Sequence, residues 1–358
     1  MAKKDESVDQ TALLSESVCH AAENGTALIV QGGGSKSFYG RLPEGQLLDV
    51  SRHRGLVTYE PTDLVITARA GTPLREIETV LANHNQMLAF EPPHFGPNST
   101  LGGAVAAGLS GPRRPYSGSV RDFVLGIKMI NGKGEVLKFG GQVIKNVAGY
   151  DISRLLTGSL GTLGILLEIS LKVLPKPEVE LTVTHESNSN DAIQFFNKCA
   201  GRPLPVSAAC HINHHTYLRL AGTEQGVRAA QAKIGGEVLG DGKEFWKSVR
   251  EQTHVFFDGS TPLWRLSVSS TSPPFEQQGE QFIDWGGALR WAKVDDGSRE
   301  LFDIARIHGG HATLFRHGSR SGEVFQQLSP AMMQIHQKLK SKFDPNGILN
   351  PGRMYQAF

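Results

Sequence analysis

Three glycine-rich strings carry the chemistry this sequence can support, and each offers main chain more than side chain. The first, Gln31-Gly-Gly-Gly-Ser-Lys-Ser37, follows an apolar run and sets consecutive N–H groups in a turn, with the Ser35 hydroxyl beside them. Such a turn can form a concave anion nest. It is neither a Rossmann fingerprint, whose third glycine would fall at Ser37, nor a Walker loop, which needs Gly-Lys-Ser/Thr at its end. The second string is Ser99-Thr-Leu-Gly-Gly-Ala-Val-Ala-Ala-Gly-Leu-Ser-Gly111. A helix opening after Gly102-Gly103 would aim its first N–H groups at an anion; a tightly packed internal helix fits the same small residues. The third, Gly158-Ser-Leu-Gly-Thr-Leu-Gly164, runs straight into an alternating apolar stretch. Anion binding and a bare turn both remain open for each string alone.

Side chains that could react directly are sparse. His308 and His311 stand three apart, but Gly309-Gly310 between them favours a helix end over a shared helical face, and no metal is expected there. His211, His214 and His215 have no nearby carboxylate and suit a solvated turn between two strands. Arg113-Arg114 can hold a substrate or partner carboxylate, or form a solvated basic loop. Trp264, Trp285 and Trp291 suit core or interface packing. Cys19, Cys199 and Cys210 are too few and too scattered for an iron–sulfur cluster or an all-cysteine zinc site.

The elements that must position these strings alternate strand and helix. Thr26–Gln31 and Asp63–Ala68 suit buried strands, and Thr72-Pro73 suits an N-cap opening a helix to about Asn83. Asn131-Gly-Lys-Gly134 marks a hairpin between Phe123–Ile130 and Glu135–Phe139. Ile165, Leu167, Ile169, Leu171 and Val173 alternate as a strand, stopped by Pro175-Lys-Pro177, which also marks the domain boundary. Beyond it, strand-like and helical runs interleave as an antiparallel α+β unit. A helix over about Pro330–Phe343 leads into the tail.

The 358 residues suffice for two domains, and 37 basic against 35 acidic side chains give no electrostatic footprint for nucleic acid. Glycine is in excess at 41, and 15 of these fall in the 69 positions from Gly96 to Gly164, which concentrates close backbone approach in one region. Neither a signal peptide nor a spanning segment is expected, so a reducing cytoplasm is the expected location.

Taken in order, the Gly-Gly-Gly-Ser loop, Ser-Thr-Leu-Gly-Gly, Tyr116-Ser-Gly-Ser119 with Val124-Leu-Gly126, and Gly158–Ile165 resemble the FAD-binding domain of the vanillyl-alcohol oxidase and p-cresol methylhydroxylase (PCMH) flavoprotein superfamily. The tail Phe343-Asp-Pro-Asn-Gly-Ile-Leu-Asn-Pro-Gly-Arg353 resembles its closing signature. Ser110-Gly-Pro-Arg-Arg-Pro-Tyr-Ser-Gly-Ser-Val-Arg-Asp122, Lys145-Asn-Val-Ala-Gly-Tyr-Asp151 and Asp284-Trp-Gly-Gly-Ala-Leu-Arg-Trp291 are more specific. They resemble the FAD-binding E subunits of bacterial glycolate oxidases.

The resemblance implies an α+β protein: a two-subdomain PCMH-type FAD-binding domain over 1–176, then a smaller antiparallel α+β cap domain over 177–358 whose tail (343–353) returns to the FAD site. It assigns Gly32, Gly33, Gly34, Ser35 and Lys36, with Thr100, Leu101, Gly102 and Gly103, to the pyrophosphate. Gly108, Ser117, Gly118 and Ser119 would line the cofactor path. Gly158, Gly161, Thr162, Gly164 and Ile165 would hold the adenine-to-flavin stretch, and Asn350 would approach the isoalloxazine ring.

Relatives that tether FAD covalently use a histidine where this chain has Ser35 and Lys36, so non-covalent FAD is implied. The implied function is that of an FAD subunit in a complex oxidising glycolate, a small 2-hydroxy acid, to glyoxylate. Its implied partners are a catalytic FAD subunit and an iron–sulfur subunit that takes the electrons, with membrane contact through partners only, at the inner face of the cell membrane. Related catalytic subunits carry a histidine- and asparagine-containing metal motif that His308–Arg316 lacks; His311 and Arg316 remain weak catalytic candidates. That departure keeps two alternatives open: a structural or electron-relay FAD subunit without its own substrate site, and a stand-alone flavin alcohol oxidase.

Overall fold

The computed structural model of the chain describes residues 7–141, 151–275, 280–294 and 298–358. The motif at 145–150 lies outside the described residues. Two antiparallel sheets organise the rest. The first has five strands, in the order Leu56–Glu60, Val65–Arg69, Ile165–Lys172, Val124–Ile130, Val136–Gly140. Its centre is the alternating strand expected from the sequence, and Ile165, Leu167, Ile169 and Leu171 are all fully buried. Helices Leu74–Ala82 and Leu101–Ala107 complete the main core beside this sheet. The first of these starts one residue later than expected: Pro73 occupies the cap position, and the Thr72 hydroxyl accepts from the Gly55 N–H (2.9 Å) instead of capping. The Asn131–Gly134 turn is as expected, with Asn131 Oδ1 accepting from the Lys133 and Glu135 N–H groups.

A smaller layer covers one end of this sheet. Helix Thr11–Asn24 and the parallel pair Leu28–Gln31 and Gln46–Asp49 form it. The tail joins them: Leu28 N–H donates to Ile348 O, and Asn350 N–H donates back to Leu28 O. Leu14, Val18, Leu28, Ile348 and Leu349 share one apolar cluster with Ile165 and Leu167.

The second sheet has eight strands, in the order Glu237–Val238, Val179–Glu186, His215–Gly222, Val206–Ile212, Gln281–Asp284, Leu289–Lys293, Leu263–Ser267, His311–Arg316. Helices Ser189–Ala200, Glu224–Ile234 and Ser298–Ile307 cover its outer face. Its inner face meets the glycine-loop half through Cys210, Phe282, Trp291 and Phe315 against Tyr39, Leu109 and Leu160. Trp264 packs under the outer helices, while Trp285 and Trp291 lie at the inner interface. His211 departs from the solvated-turn reading: it is buried within its strand, hydrogen-bonded to Ser187 O, and only Asn213-His214 form the turn.

Candidate functional site

The strand Leu28–Gln31 ends where its partner Gln46–Asp49 ends, and the glycine loop leaves the ladder there. Among the described residues, none of the five N–H groups from Gly32 to Lys36 finds a protein acceptor; the next, on Ser37, turns back to Gly34 O. Backbone N–H groups inside a protein are nearly always paired, so a run of five open ones facing a cleft can receive an anion. The cleft is about 120 Å³ and is walled by Val30, Thr100, Gly103, Gly161, Asn350 and Arg353. That is room for a diphosphate rather than a whole dinucleotide. Arg353 supplies the local positive charge: its Nη2 donates to Ser37 O (2.9 Å), which ties the guanidinium to the loop. Arg353 was not among the residues expected at the site; its signal in the sequence is an arginine that closes the tail motif.

Other expected contacts are placed differently. The helix after Ser99-Thr100 begins at Leu101, and its first N–H groups are already used. Leu101 donates to Thr72 O, Gly102 to Ala70 O, and Gly103 to the capping Thr100 Oγ1. This helix therefore offers an anion no free N–H at its start. Its glycines serve proximity: a Cβ on Gly102 would stand 2.7 Å from Ala70 Cβ, whereas one on Gly103 would meet only Thr100 Oγ1. The Lys36 ammonium is turned inward to Ser99 Oγ (2.8 Å) and His94 O (3.3 Å), and burial pulls its pKa down to about 8 against a small opposing effect of Glu251. Lys36 can thus contribute its backbone N–H while its side chain locks the loop onto the second glycine string.

Gly108 and Gly158 form a close backbone crossing. A Cβ on Gly108, at φ +67°, would lie 2.9 Å from Gly158 Cα. Ser117 Oγ donates to Ala89 O, and Ser119 is engaged with Asp122 in a capping box; with Gly118 between them, they shape the loop outside the cleft wall. Thr162 is buried on Ser159 O, and Ile165 lies in the core. Gly161 and Gly164 do line the cleft. Asn350 lines it too, but its polar atoms are spent within the chain: Oδ1 accepts from Val30 N–H (2.8 Å) and Nδ2 donates to Leu160 O (2.6 Å).

The catalytic candidates are not brought together. His311 opens the last strand, near Arg265 and Arg114; burial and then these two cations depress its pKa. Arg316, at the far end of that strand, lies over the rings of Phe38 (4.3 Å) and Phe95 (4.6 Å). His308 packs against Phe275 after its helix has ended at Ile307, so no helical pair with His311 exists. Arg113 is committed to Glu91 (3.2 Å) and Glu180, whereas Arg114 lies over Trp285. Among the described residues, no three His, Cys, Asp or Glu side chains gather as a metal site.

Residues 7–140 match a family model described as an FAD binding domain, and residues 292–354 match one described as the C-terminal domain of FAD linked oxidases. The glycolate oxidase subunit GlcE of Escherichia coli is 49% identical over 97% of this chain and 98% of its own length. The glycolate oxidase subunit GlcD of Bacillus subtilis is 32% identical over 45% of this chain and 35% of its own. Among solved structures, p-cresol methylhydroxylase with substrate bound superposes at a TM-score of 0.73 over 98% of this chain and 88% of that one, at 15% identity, a likeness of fold. With its open N–H run, its returning tail and this end-to-end identity, the chain belongs to the family of the glycolate oxidase subunit GlcE, and its cofactor is FAD.

Proposed function

We propose that this chain is an FAD-binding subunit of a multi-subunit glycolate oxidase that oxidises glycolate to glyoxylate, and small 2-hydroxy acids like it to the corresponding 2-oxo acids. The observation that carries the reading is the match to the Escherichia coli subunit from one end to the other. FAD supplies a two-electron acceptor for the carbon that bears the hydroxyl. This chain's residues bind and orient it: the N–H groups of Gly32 to Lys36 take the diphosphate, Arg353 neutralises it, and Thr100, Gly103, Gly161 and Gly164 wall it in. The association is non-covalent, because Ser35 and Lys36 occupy the loop where a tethering histidine would stand and the Lys36 ammonium is already bonded. A catalytic FAD subunit and an iron–sulfur subunit complete the complex, since Cys19, Cys199 and Cys210 lie apart in this chain and cannot hold a cluster. The complex sits in the cytoplasm at the inner face of the membrane through those partners; among the described residues no helix is long and apolar enough to cross. The change of sheet after Leu174-Pro175 supports a division into 1–176 and 177–358.

A relay role without substrate binding is the second reading, motivated by the absence of a metal-ligand cluster around His311 among the described residues. The test is the visible spectrum of the purified chain, before and after anaerobic addition of glycolate, alone and with its partner subunits. A flavin spectrum whose chromophore is fully released on denaturation, and glycolate-dependent bleaching in the complex, are expected. Bleaching of the isolated chain would remove the relay reading. A complex that turns over other alcohols but not glycolate would overturn the proposal.

A further inference from the structure

On the inner face of the eight-stranded sheet, Arg265 pairs with Thr313 and Ser267 pairs with His311, so Arg265 and His311 are diagonal neighbours on one face. Across the interface Arg114 lies over the Trp285 ring at 4.4 Å, and Arg265 lies over the same ring at 5.0 Å. Among the described residues neither guanidinium has a hydrogen bond or an ion pair; each lies over the face of the same indole. The pKa values of both are depressed, first by burial, and for Arg114 next by Arg265.

Two carboxylates are near enough to be felt, and neither neutralises the recess. Asp122, which Arg114 senses, is engaged by the N–H and hydroxyl of Ser119. Asp284, which Arg265 senses, is buried against the Trp285 N–H, and its pKa is pushed up to about 7 by loss of water. Both arginines are half-buried and their guanidinium nitrogens stay open to solvent, so an anion can reach them by displacing water. An arginine's planar fork matches a carboxylate, so a carboxylate is the anion this pair of guanidiniums suits.

We propose that Arg114, Arg265 and His311 form a carboxylate-binding recess, braced on Trp285, that takes a small carboxylate of the size of a two-carbon 2-hydroxy acid. The inference rests on the glycolate reading above and gives this chain a substrate-class site of its own, at the interface where the glycine-loop half meets the eight-stranded sheet. Trp285 makes it observable, since an anion entering beside the indole alters tryptophan emission.

The experiment titrates the FAD-loaded chain with glycolate and with oxalate, a carboxylate that cannot be oxidised in the same way. It follows tryptophan fluorescence and calorimetry in wild type, Arg265→Gln, Arg114→Gln, His311→Asn and the conservative Arg265→Lys. Saturable binding is expected, weakened on the order of tenfold or more in each glutamine variant and in part restored by lysine, with FAD content unchanged. Equal binding in wild type and both glutamine variants overturns the recess. So does absence of binding to the wild-type chain when the same variants block assembly with the partner subunits, which would make the ligand a partner's carboxylate. Trp285→Phe keeps the packing and must abolish the emission change while binding persists. The two readings fail separately: variants that leave the assembled complex's glycolate KM untouched sink the recess alone. Arg265-dependent oxalate binding in a complex that never oxidises glycolate sinks the functional reading alone.

Discussion

At the residue scale, Lys36 carries a testable consequence of its inward turn. A lysine held near pKa 8 in the fold and near 10.5 when unfolded is deprotonated first in the native state. Between those values the unfolded chain binds the extra proton, so the lysine's contribution to stability rises with pH, by about 1 kcal/mol per unit. Below pH 8 both states are protonated and the full penalty of keeping the charge buried remains. Stability of wild type relative to Lys36→Met, from urea midpoints, is therefore expected to be flat from pH 6 to 7.5 and to climb from 8 to 10. A flat difference throughout would mean the ammonium is solvated in the fold. Asn350 gives the second residue prediction. Asn350→Ala leaves the Val30 N–H and the Leu160 carbonyl unpaired, at a cost of about 2–4 kcal/mol, and should lower the FAD retained on gel filtration. Asn350→Asp keeps the acceptor for Val30 but sets a buried carboxylate against the Leu160 carbonyl and in the wall of the anion cleft, so it should retain no more FAD than Asn350→Ala.

At the element scale, the tail is a clasp whose lock lies outside the cleft. The Lys340 ammonium is buried and donates to Asp344 Oδ2 (2.6 Å), Thr162 O and Leu349 O, while Asp344 accepts from the Ile348 and Leu349 N–H groups. Removing one partner strands the other, so Lys340→Met is expected to cost about 3–5 kcal/mol and to raise the FAD dissociation rate through the third glycine string. Lys340→Met that melts with wild type would show that the clasp is not a stability element. Regular apolar spacing made the strand Ile165–Lys172 and the helix Leu74–Ala82 legible in the sequence: the helix buries one face through Leu74, Ile77 and Leu81, and the strand is a central one buried on both faces. Gln46–Asp49 was not legible: it is largely exposed, with Leu48 alone packed against the core, and is held mainly by backbone pairing. Helix Thr11–Asn24 buries only Leu14, Val18 and Ala21 and has no side-chain cap to announce it. The glycine strings were visible, but which N–H groups stay open was not. Leu101 and Gly102 donate to Thr72 and Ala70, acceptors about thirty residues away that only the fold brings near. Arg265 and Arg114 meet at Trp285 for the same non-local reason.

At the scale of the whole molecule, the two halves are joined by a buried ionic network centred on Glu91. Its carboxylate receives Arg219 Nη2 (2.8 and 3.1 Å) from the eight-stranded sheet and Arg113 through both Nε (3.2 Å) and backbone N–H (3.0 Å), while Arg113 also reaches Glu180. A groove of about 790 Å³ runs beside these residues, separate from the glycine-loop cleft, and gives water a path to them. Burial pushes the Glu91 carboxyl up, but Arg219 and Arg113 outweigh it and hold the pKa below the ordinary value of 4.5. A depressed native pKa means that its stabilising contribution is complete above about pH 4.5 and is lost as pH falls through the native value, when protonation leaves two guanidiniums facing no charge. Glu91→Gln creates that condition at every pH. At pH 7 the variant is expected to be less stable by about 3–5 kcal/mol, because the arginines remain buried without their counter-charge. The gap to wild type should hold from pH 7 to 5 and close below pH 4.5, whereas Arg219→Met combined with Glu91→Gln should recover part of the loss at neutral pH. Flavin fluorescence reports whether the halves part with it: acid release of FAD should occur at higher pH in Glu91→Gln than in wild type. A constant gap down to pH 3.5, with FAD release at the same pH in both proteins, would show that the halves are held by the aromatic interface around Phe315 and Trp291 and that the network adds alignment without strength.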